Sequence, residues 1–452
     1  MQRYELSSDL ARDILAKAKA KGASQGDVVM AESQSFFVTV RMGEVEKISQ
    51  SGEKRLGLRL FFGNSSASAS TSDISSQAIE RLVDDTALMA RATAQDPHSG
   101  LPDARELARD IPADLDLLDQ TARSISVEEK IQLAIDTEKS ALAFDERITN
   151  SEGAEFSNGF GRVIYASSHG FSGEYEGSNF GQSVAPVAKS DGSMQRDYWY
   201  SSNRKFSLLE SPRTIGEKAA RRVLRRLGAS KVKTCEAPIV FDQEMAASLL
   251  RNLSSAISGY ALYKGASFLT GQLGAQIGSS LLTVIDDATI PGALGSKPFD
   301  GEGLPTRKKV VVEGGVLRSY LLDTYSGRKL GLPSTGNASR SVGEPPGVSP
   351  ANFYLTPGKY SPEEIIRSVK QGFYVTELIG FGVNMVTGDY SRGAAGVWIE
   401  NGELTHAVEE VTIAGNLKEM FQNIEMVGND LEMRGRISSP TVKISQMTVA
   451  GN

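Results

Sequence analysis

The chain has 452 residues, more than one ordinary hydrophobic core organises, so two domains are expected. Hydrophobic residues make up 40% and charged residues 23%, the balance of a folded soluble protein, which excludes a disordered or fibrous chain. A net charge of −6, no apolar run of bilayer length and no signal-peptide core argue against nucleic-acid and membrane partners and for a cytoplasmic protein.

From the N-terminus, Ser8 or Asp9 is placed to cap a first helix, whose face is lined by Leu10, Ile14 and Ala18 and which Gly22 closes. Alternating residues from Phe36 to Asp73 predict a meander of three strands, with turns at Met42-Gly43 and near Ser51-Gly52. Helical spacing returns from Gln77 to Thr93. A Pro- and Asp-rich connection over 96–116 leads to a helix that Ser126 and Glu129 start with a capping box. Residues 147–206 alternate and are punctuated by glycine, as an antiparallel sheet requires. The helix Ile215 to Gly228 carries Arg221, Arg222, Arg225 and Arg226, and a linker over 229–236 divides domain 1–230 from domain 236–452.

The second half opens on the strand "APIVFD", after which Asp242 can cap an amphipathic helix that runs into a Gly-rich turn before Gly274. Met245, Leu249, Leu253, Ile257 and Tyr260 share its core face. Hairpins are expected around Glu313-Gly314-Gly315 and at Asn401-Gly402, where the turn needs positive φ angles. Between them Ser361 and Glu364 box a short helix. Helices and antiparallel strands in separate blocks give an α+β fold: N-terminal helices with an antiparallel sheet, then a strand-rich C-terminal domain. The 45 glycines suit many tight turns.

Chemically the chain is sparse. Cys235 is the only cysteine, so neither an internal disulfide nor a cysteine zinc cage exists, and His98, His169 and His406 are the only histidines. His169 in "SSHGF" lacks the G-x-S-x-G elbow of a serine hydrolase. Cys235 reads as a plain buried thiol rather than a reactive one. Asp286, Asp287, Asp300 and Glu302 read as turn and cap residues rather than cation ligands. The four arginines of the 215–228 helix could meet nucleic acid, although a solvated or interdomain salt-bridged face is the plainer reading.

Several stretches carry a resemblance: "VRMGEVEKISQSGEKRLGLRLF", "SFLTGQLG", "VIDDATIPGALGSKPFDGEG", "VVVEGGVLRSYLLDTYSGRKLG", "STGNASR", "NFYLTPG", "GVNMVTGDYSRGAAGVWIENGEL" and "NIEMVGNDLEM". Together they resemble the TldD/PmbA family, bacterial proteins once called modulators of DNA gyrase and regarded as parts of a metallopeptidase. In the TldD branch the helix after "APIVFD" carries His-Glu-x-x-x-His, and a Cys beyond "VGND" completes the metal site. Here Arg251, Asn252 and Ala256 occupy the helix positions, no histidine lies between His169 and His406, and "RGRISSPTVKIS" after "VGND" has no cysteine. The resemblance therefore implies the PmbA/TldE branch: no catalytic residue and no metal in this chain, with zinc held by a TldD-type partner. It also implies a heterodimer with an internal cavity, an unfolded or extended peptide as substrate, and a homodimer as a possible state of the isolated chain. Gly388, Asp389, Tyr390, Ser391 and Gly393 of "TGDYSRGAAG", with Asn337 of "STGNASR", are the expected peptide or interface residues; the alternative is a structural turn system. A stand-alone binding protein or gyrase-associated regulator is the competing function.

Overall fold

The computed structural model describes residues 4–111, 114–190 and 192–452. The N-terminal half is built on long antiparallel strands. Helix α1 (Ser8–Ala20) is capped by Ser7, one residue earlier than the sequence pattern suggests, because the Ser7 hydroxyl accepts from the Leu10 backbone N–H. Strands β1 (Gln25–Arg41), β2 (Glu44–Phe62) and β3 (Ser65–Thr71) form the expected meander. Its first turn is Met42-Gly43, at φ 51° and 81°. The second is Gly63-Asn64 and not Ser51-Gly52, which run through mid-strand opposite Ser35 and Gln34. Polar small residues in a strand had mimicked a turn.

Helices α2 (Ser76–Ala92) and α3 (Val127–Leu142) follow, the second with the Ser126/Glu129 capping box. Strands β4 (Ile148–Ser167), β5 (Ser172–Ser190), β6 (Ser193–Arg196) and β7 (Trp199–Asn203) complete a sheet of order β3-β2-β1-β4-β5-β6, with β7 also on β5. Helix α4 (Pro212–Leu224) ends this half. Even-numbered residues of β1 and β4 face the helices: Val28 and Met30 pack with Leu10, Ile14, Ile79 and Leu82, and Val38 and Phe156 lie in the core beside α3. Odd-numbered Val29 and Tyr165 face the other way, against Phe171 and Phe299. The two-residue period thus lets one sheet bury helices on one face and meet the second half with the other.

In that second half come β8 (Cys235–Phe241), α5 (Gln243–Ala256), α6 (Gly259–Tyr263), β9 (Val284–Asp287), β10 (Lys308–Glu313), β11 (Val316–Leu317) and α7 (Thr324–Leu330). They are followed by β12 (Ala338–Ser339), β13 (Gly347–Val348), β14 (Asn352–Leu355), α8 (Pro362–Arg367), β15 (Gln371–Ile379), β16 (Asp389–Glu400) and β17 (Glu403–Asn416). Helix α9 (Leu417–Gln422), β18 (Ile424–Val427), β19 (Ile437–Ser438) and β20 (Val442–Ala450) end the chain. The sheet β17-β16-β15-β8-β20-β18 closes on itself through a further β17–β20 pairing, and β11-β10-β9-β14-β19 forms a second sheet. Both glycine-bearing hairpins and both helix caps, Asp242 and Ser361/Glu364, stand where the sequence puts them. Two strand pairs are parallel, β8–β15 and β14–β19. The expected long helix stops at Ala256, so Leu249, Leu253 and Ile257 remain core while Tyr260 sits on the separate α6.

Two buried ionic clusters join the halves. Asp27 on β1, wholly buried, takes Arg59 at 2.5 Å from its own sheet and Arg340 at 2.6 Å from the second half. Burial raises the cost of its charge, yet the two guanidiniums outweigh this and hold the carboxyl below its ordinary range. Glu302 lies behind them, 3.9 Å from Arg59. In the second cluster Arg222 of α4 reaches Asp197 at 3.2 Å, Asp242 at 3.6 Å and Glu244 at 4.0 Å, and donates to the Thr376 carbonyl. Burial opposes its charge, and the three carboxylates more than offset that.

Glu302 is pushed up to about 7, by burial first, with Asp300 and Asp323 adding against the pull of Arg59. The folded state then holds this proton more tightly than the unfolded chain, whose carboxyl titrates at 4.5. Its effect is absent below that value and subtracts stability as pH rises through 7, by roughly 1–3 kcal/mol. Glu302→Gln is expected to gain little over the parent chain at pH 5 and clearly more at pH 8 in thermal unfolding. Replacing Arg222 by Met leaves three buried carboxylates without their common cation and should cost about 3–5 kcal/mol in urea unfolding. Arg221→Gln, on the exposed side of the same helix, should change stability by less than about 0.5 kcal/mol.

Candidate functional site

Helix α5 and the segment after "VGND", far apart in sequence, come together at one cavity of about 300 Å³. Its wall includes Gln243, Glu244, Ala247 and Arg251, one face of α5 at helical spacing, together with residues 432–439 and the β7-side tyrosines Tyr198 and Tyr200. Local bonds fix this meeting. The Gln243 side chain donates to the Asp430 carbonyl, and the Asp430 carboxylate closes its own loop on Thr441, accepting from the backbone N–H at 3.0 Å and the hydroxyl at 2.7 Å. Asp242, the α5 cap, accepts from Met245 at 2.9 Å. Burial pushes its carboxyl up to about 6, against the pull of Arg222.

Three guanidiniums line the cavity, those of Arg251, Arg434 and Arg436, against the carboxylates of Glu244 and Glu432. Glu432 pairs with Arg434, whose guanidinium also lies 4.0 Å from the Trp199 ring centre. Glu244 faces Arg222 and takes a 3.5 Å contact from the Tyr198 hydroxyl. Burial, then Glu244, raises both Tyr198 and Tyr200, so the two phenols stay neutral donors. A second cavity of about 230 Å³ shares Arg436 and continues along the sheet past Tyr175, Gly177, Arg204 and Lys297. A Cβ at Gly177 would stand 2.8 Å from Arg204 Nη1 and displace that guanidinium. Lys297 donates to the Ala338 carbonyl at 2.9 Å, and burial lowers its pKa.

The donor set does not fit a zinc ion. Arg251 offers no lone pair, Asn252 is half-buried, and Ala256 is fully buried in the core rather than on the cavity wall. The two carboxylates present are already engaged by arginine, and three guanidiniums repel a dication. Among the described residues no group of three His, Cys, Asp or Glu side chains converges in a way that could hold a metal.

The other sequence-derived candidates do not gather here. Asn337 is buried and fully used: its amide donates to Asp286 and the Ser349 carbonyl, and its oxygen accepts from Lys309 and Thr335. It therefore has no free group for a peptide. Tyr390 is likewise buried in the barrel core. Asp389 and Ser391 are exposed on β16, Gly393 is half-buried, and Gly388 turns the chain at φ 89°. Of the basic helix, Arg222 and Arg226 are ion-paired in the interior, Arg225 is mostly buried, and Arg221 pairs with Glu217 on the surface. The salt-bridged interdomain face is the reading that fits. Cys235 is half-buried on β8. His169 Nδ1 stands 2.7 Å from the Pro102 carbonyl oxygen, where it donates a hydrogen bond rather than activating a serine. Asp286 accepts from Ala351 and pairs with Lys309, Asp287 caps Thr289, and Asp300 accepts from the backbone of Glu302, Leu304 and Ala338. Sequence reading missed Tyr198, Tyr200, Glu244, Arg434 and Arg436. The signal available for two of them was "RGR", noted for the cysteine it lacks and not for the charge it carries.

Comparison with known proteins agrees along the chain. Family models match at residues 26–90 (PmbA/TldA metallopeptidase domain 1), 121–227 (central domain) and 234–451 (C-terminal domain). The sequence is 40% identical to Metalloprotease PmbA of Escherichia coli O157:H7, covering 97% of this chain and 94% of that one. It is 36% identical to the Metalloprotease PmbA homolog of Haemophilus influenzae, covering 96% and 93%. A crystal structure from Bacteroides thetaiotaomicron described as a modulator of DNA gyrase superposes with TM-score 0.91 at 28% identity, covering 98% of each chain. TldE from Thermococcus kodakarensis shares the fold, with TM-score 0.89 at 22% identity over 98% and 100%. No helix among the described residues is long and apolar enough to cross a membrane. With a family model over most of its second half and a 40%-identical relative over nearly its whole length, the chain belongs to the PmbA/TldD metallopeptidase family.

Proposed function

We propose that this chain is the noncatalytic, TldE-like subunit of a cytoplasmic metallopeptidase complex that degrades unfolded polypeptides or processes peptide precursors. One observation carries the reading. Helix α5 and the segment after "VGND", which correspond to the metal-site segments of the TldD branch, meet at one cavity whose wall carries three guanidiniums and no histidine or cysteine, while Ala256 lies in the core. The chain retains the architecture of the site and lacks its chemistry, so the zinc and the base are assigned to a TldD-type partner. In this reading residues 1–230 and 236–452 are its two domains, and the long sheet face between them holds peptide in an extended form.

The end of the β15–β16 hairpin supplies the surface proposed for the partner. Ile379, Phe381 and Val386 are exposed there, Phe381 completely, beside exposed Asp389 and Ser391. The Ser391 backbone N–H donates to the Gly382 carbonyl, which holds the apolar tip next to these polar residues. An apolar tip kept in water by a hydrogen-bonded hairpin is an unfavourable arrangement unless another surface covers it.

Mixed with a TldD-type protein of the same organism, the chain is expected to elute as a heterodimer that digests an unfolded protein, while neither chain does so unmixed. Metal analysis should place zinc in the partner and none in stoichiometric amount in this chain. Phe381→Ser should weaken assembly at least about tenfold without lowering the melting temperature, since the ring makes no core contact. Substitution at Gly388 is a poor probe: a Cβ there would stand 2.9 Å from Asn416 Oδ1 on a backbone at positive φ. A TldD-type chain fully active by itself, or two species that stay separate on gel filtration, would overturn the assignment.

A further inference from the structure

The arginine-lined cavity has a chemistry of its own. Most interior arginines of this protein are matched: Arg59 and Arg340 to Asp27, Arg222 to Asp197, Arg226 to Glu377. Arg251 and Arg436 are instead exposed at the cavity. They come from separate segments, line the same cavity, and have no carboxylate partner among the described residues. Arg434 lines the same cavity and is paired with Glu432. Like charges held in one concavity repel, and an anion placed among them would relieve that repulsion.

The form of the cavity selects among anions. Glu244 and Glu432 share its wall, which opposes a polyphosphate or nucleic-acid backbone and leaves an excess of one positive charge. Met245, Ala247, Ile437 and the two tyrosine rings supply apolar surface beside the guanidiniums. The rings of Tyr198 and Tyr200 stack with centroids 6.3 Å apart. A cavity of about 300 Å³ with this mixed lining suits one or two amino-acid residues that carry a single negative charge. It shares Arg436 with the neighbouring cavity along β5, where the rest of an extended chain would lie.

We propose that this cavity binds a carboxylate of an extended peptide, either the terminal carboxylate or an acidic side chain, through the guanidiniums of Arg251 and Arg436. The proposal rests on the peptide-holding reading of the same cleft. A guanidinium presents a planar fork of donors that fits a carboxylate in bidentate fashion. The two guanidiniums would thereby anchor one end or one side chain of the substrate.

Fluorescence anisotropy with the full-length chain at low salt tests this with N-terminally labelled hexapeptides. One has a final Glu and a free C-terminus, one the same sequence amidated, one a final Gln with a free C-terminus, and one a final Gln amidated. The carboxylate-free peptide is expected to bind at least about tenfold more weakly than the first, and the two single-carboxylate peptides report which carboxylate is taken. Arg251→Gln with Arg436→Gln should lower affinity for the first peptide at least about tenfold. Arg251→Lys should restore part of the loss, because charge returns without the fork. Arg251 and Arg436 are exposed, so these variants should melt with the parent chain, and Arg221→Gln should bind like it. Equal binding of all four peptides, unchanged affinity in the double variant, or displacement by inorganic phosphate but not by acetate would each overturn the proposal. Absence of any peptide binding in a chain that still assembles with a TldD-type partner removes the carboxylate site alone. Carboxylate-dependent binding in a chain that does not assemble removes the subunit assignment alone.

Discussion

The contact on which the molecule depends is the pair of guanidiniums that Arg59 and Arg340 bring to Asp27, one from the N-terminal sheet and one from the second half. A carboxylate with no solvent exposure costs several kcal/mol unless it is paired and hydrogen-bonded. Asp27 therefore commits the face of β1 to receiving Arg340, and separating the halves would leave one or other charge uncompensated. Tyr165, whose hydroxyl donates to Asp27 at 3.3 Å, and Phe299 beside it seal the cluster with aromatic surface. The Arg222 cluster does the same on the α4 side. Because both clusters bridge the halves, the cleft between them has fixed walls.

Those walls are held by contacts other than the side chains that face the cavity. Helix α5 is held by its core face, Leu249, Leu250 and Leu253, and by the Asp242 cap. None of these contacts needs the residues that face the cavity. The Gln243 to Asp430 bond holds the opposite wall by a backbone carbonyl, which is indifferent to the side chains that follow. Position 251 is exposed and thus varies at little cost to the fold, whereas Ile437 and Ser438 are held in place as β19 against β14. At Asn337, by contrast, every polar group is consumed by the structure.

Much of the architecture was legible in the sequence because short-range physics sets it. Caps at Ser126, Asp242 and Ser361, positive-φ turns at Gly314-Gly315 and Asn401-Gly402, and the four-residue rhythm of Leu10, Ile14 and Ala18 all act within a few residues. The α+β character follows from them. Where the local signal was ambiguous the reading slipped: Ser51-Gly52 resembles a turn but is held in a strand by its partners on β1, and Ser7 takes the cap from Ser8 by one hydrogen bond. The missing histidines and cysteine were legible too, since an absent side chain needs no coordinates.

What the sequence determined by itself, then, is the set of local elements, the family resemblance, and the lack of imidazole and thiolate donors at the corresponding positions. Only the tertiary structure decided which residues share a space. It brought Tyr198, Arg251 and Arg436 to one cavity, drew Arg222 inside while leaving Arg221 in water, and buried Asn337 and Tyr390 where sequence had them facing a ligand. The physical reason is that adjacency across a cleft is set by strand pairing and by ion pairs between residues more than a hundred positions apart, as between Asp27 and Arg340. No window of local sequence contains both partners.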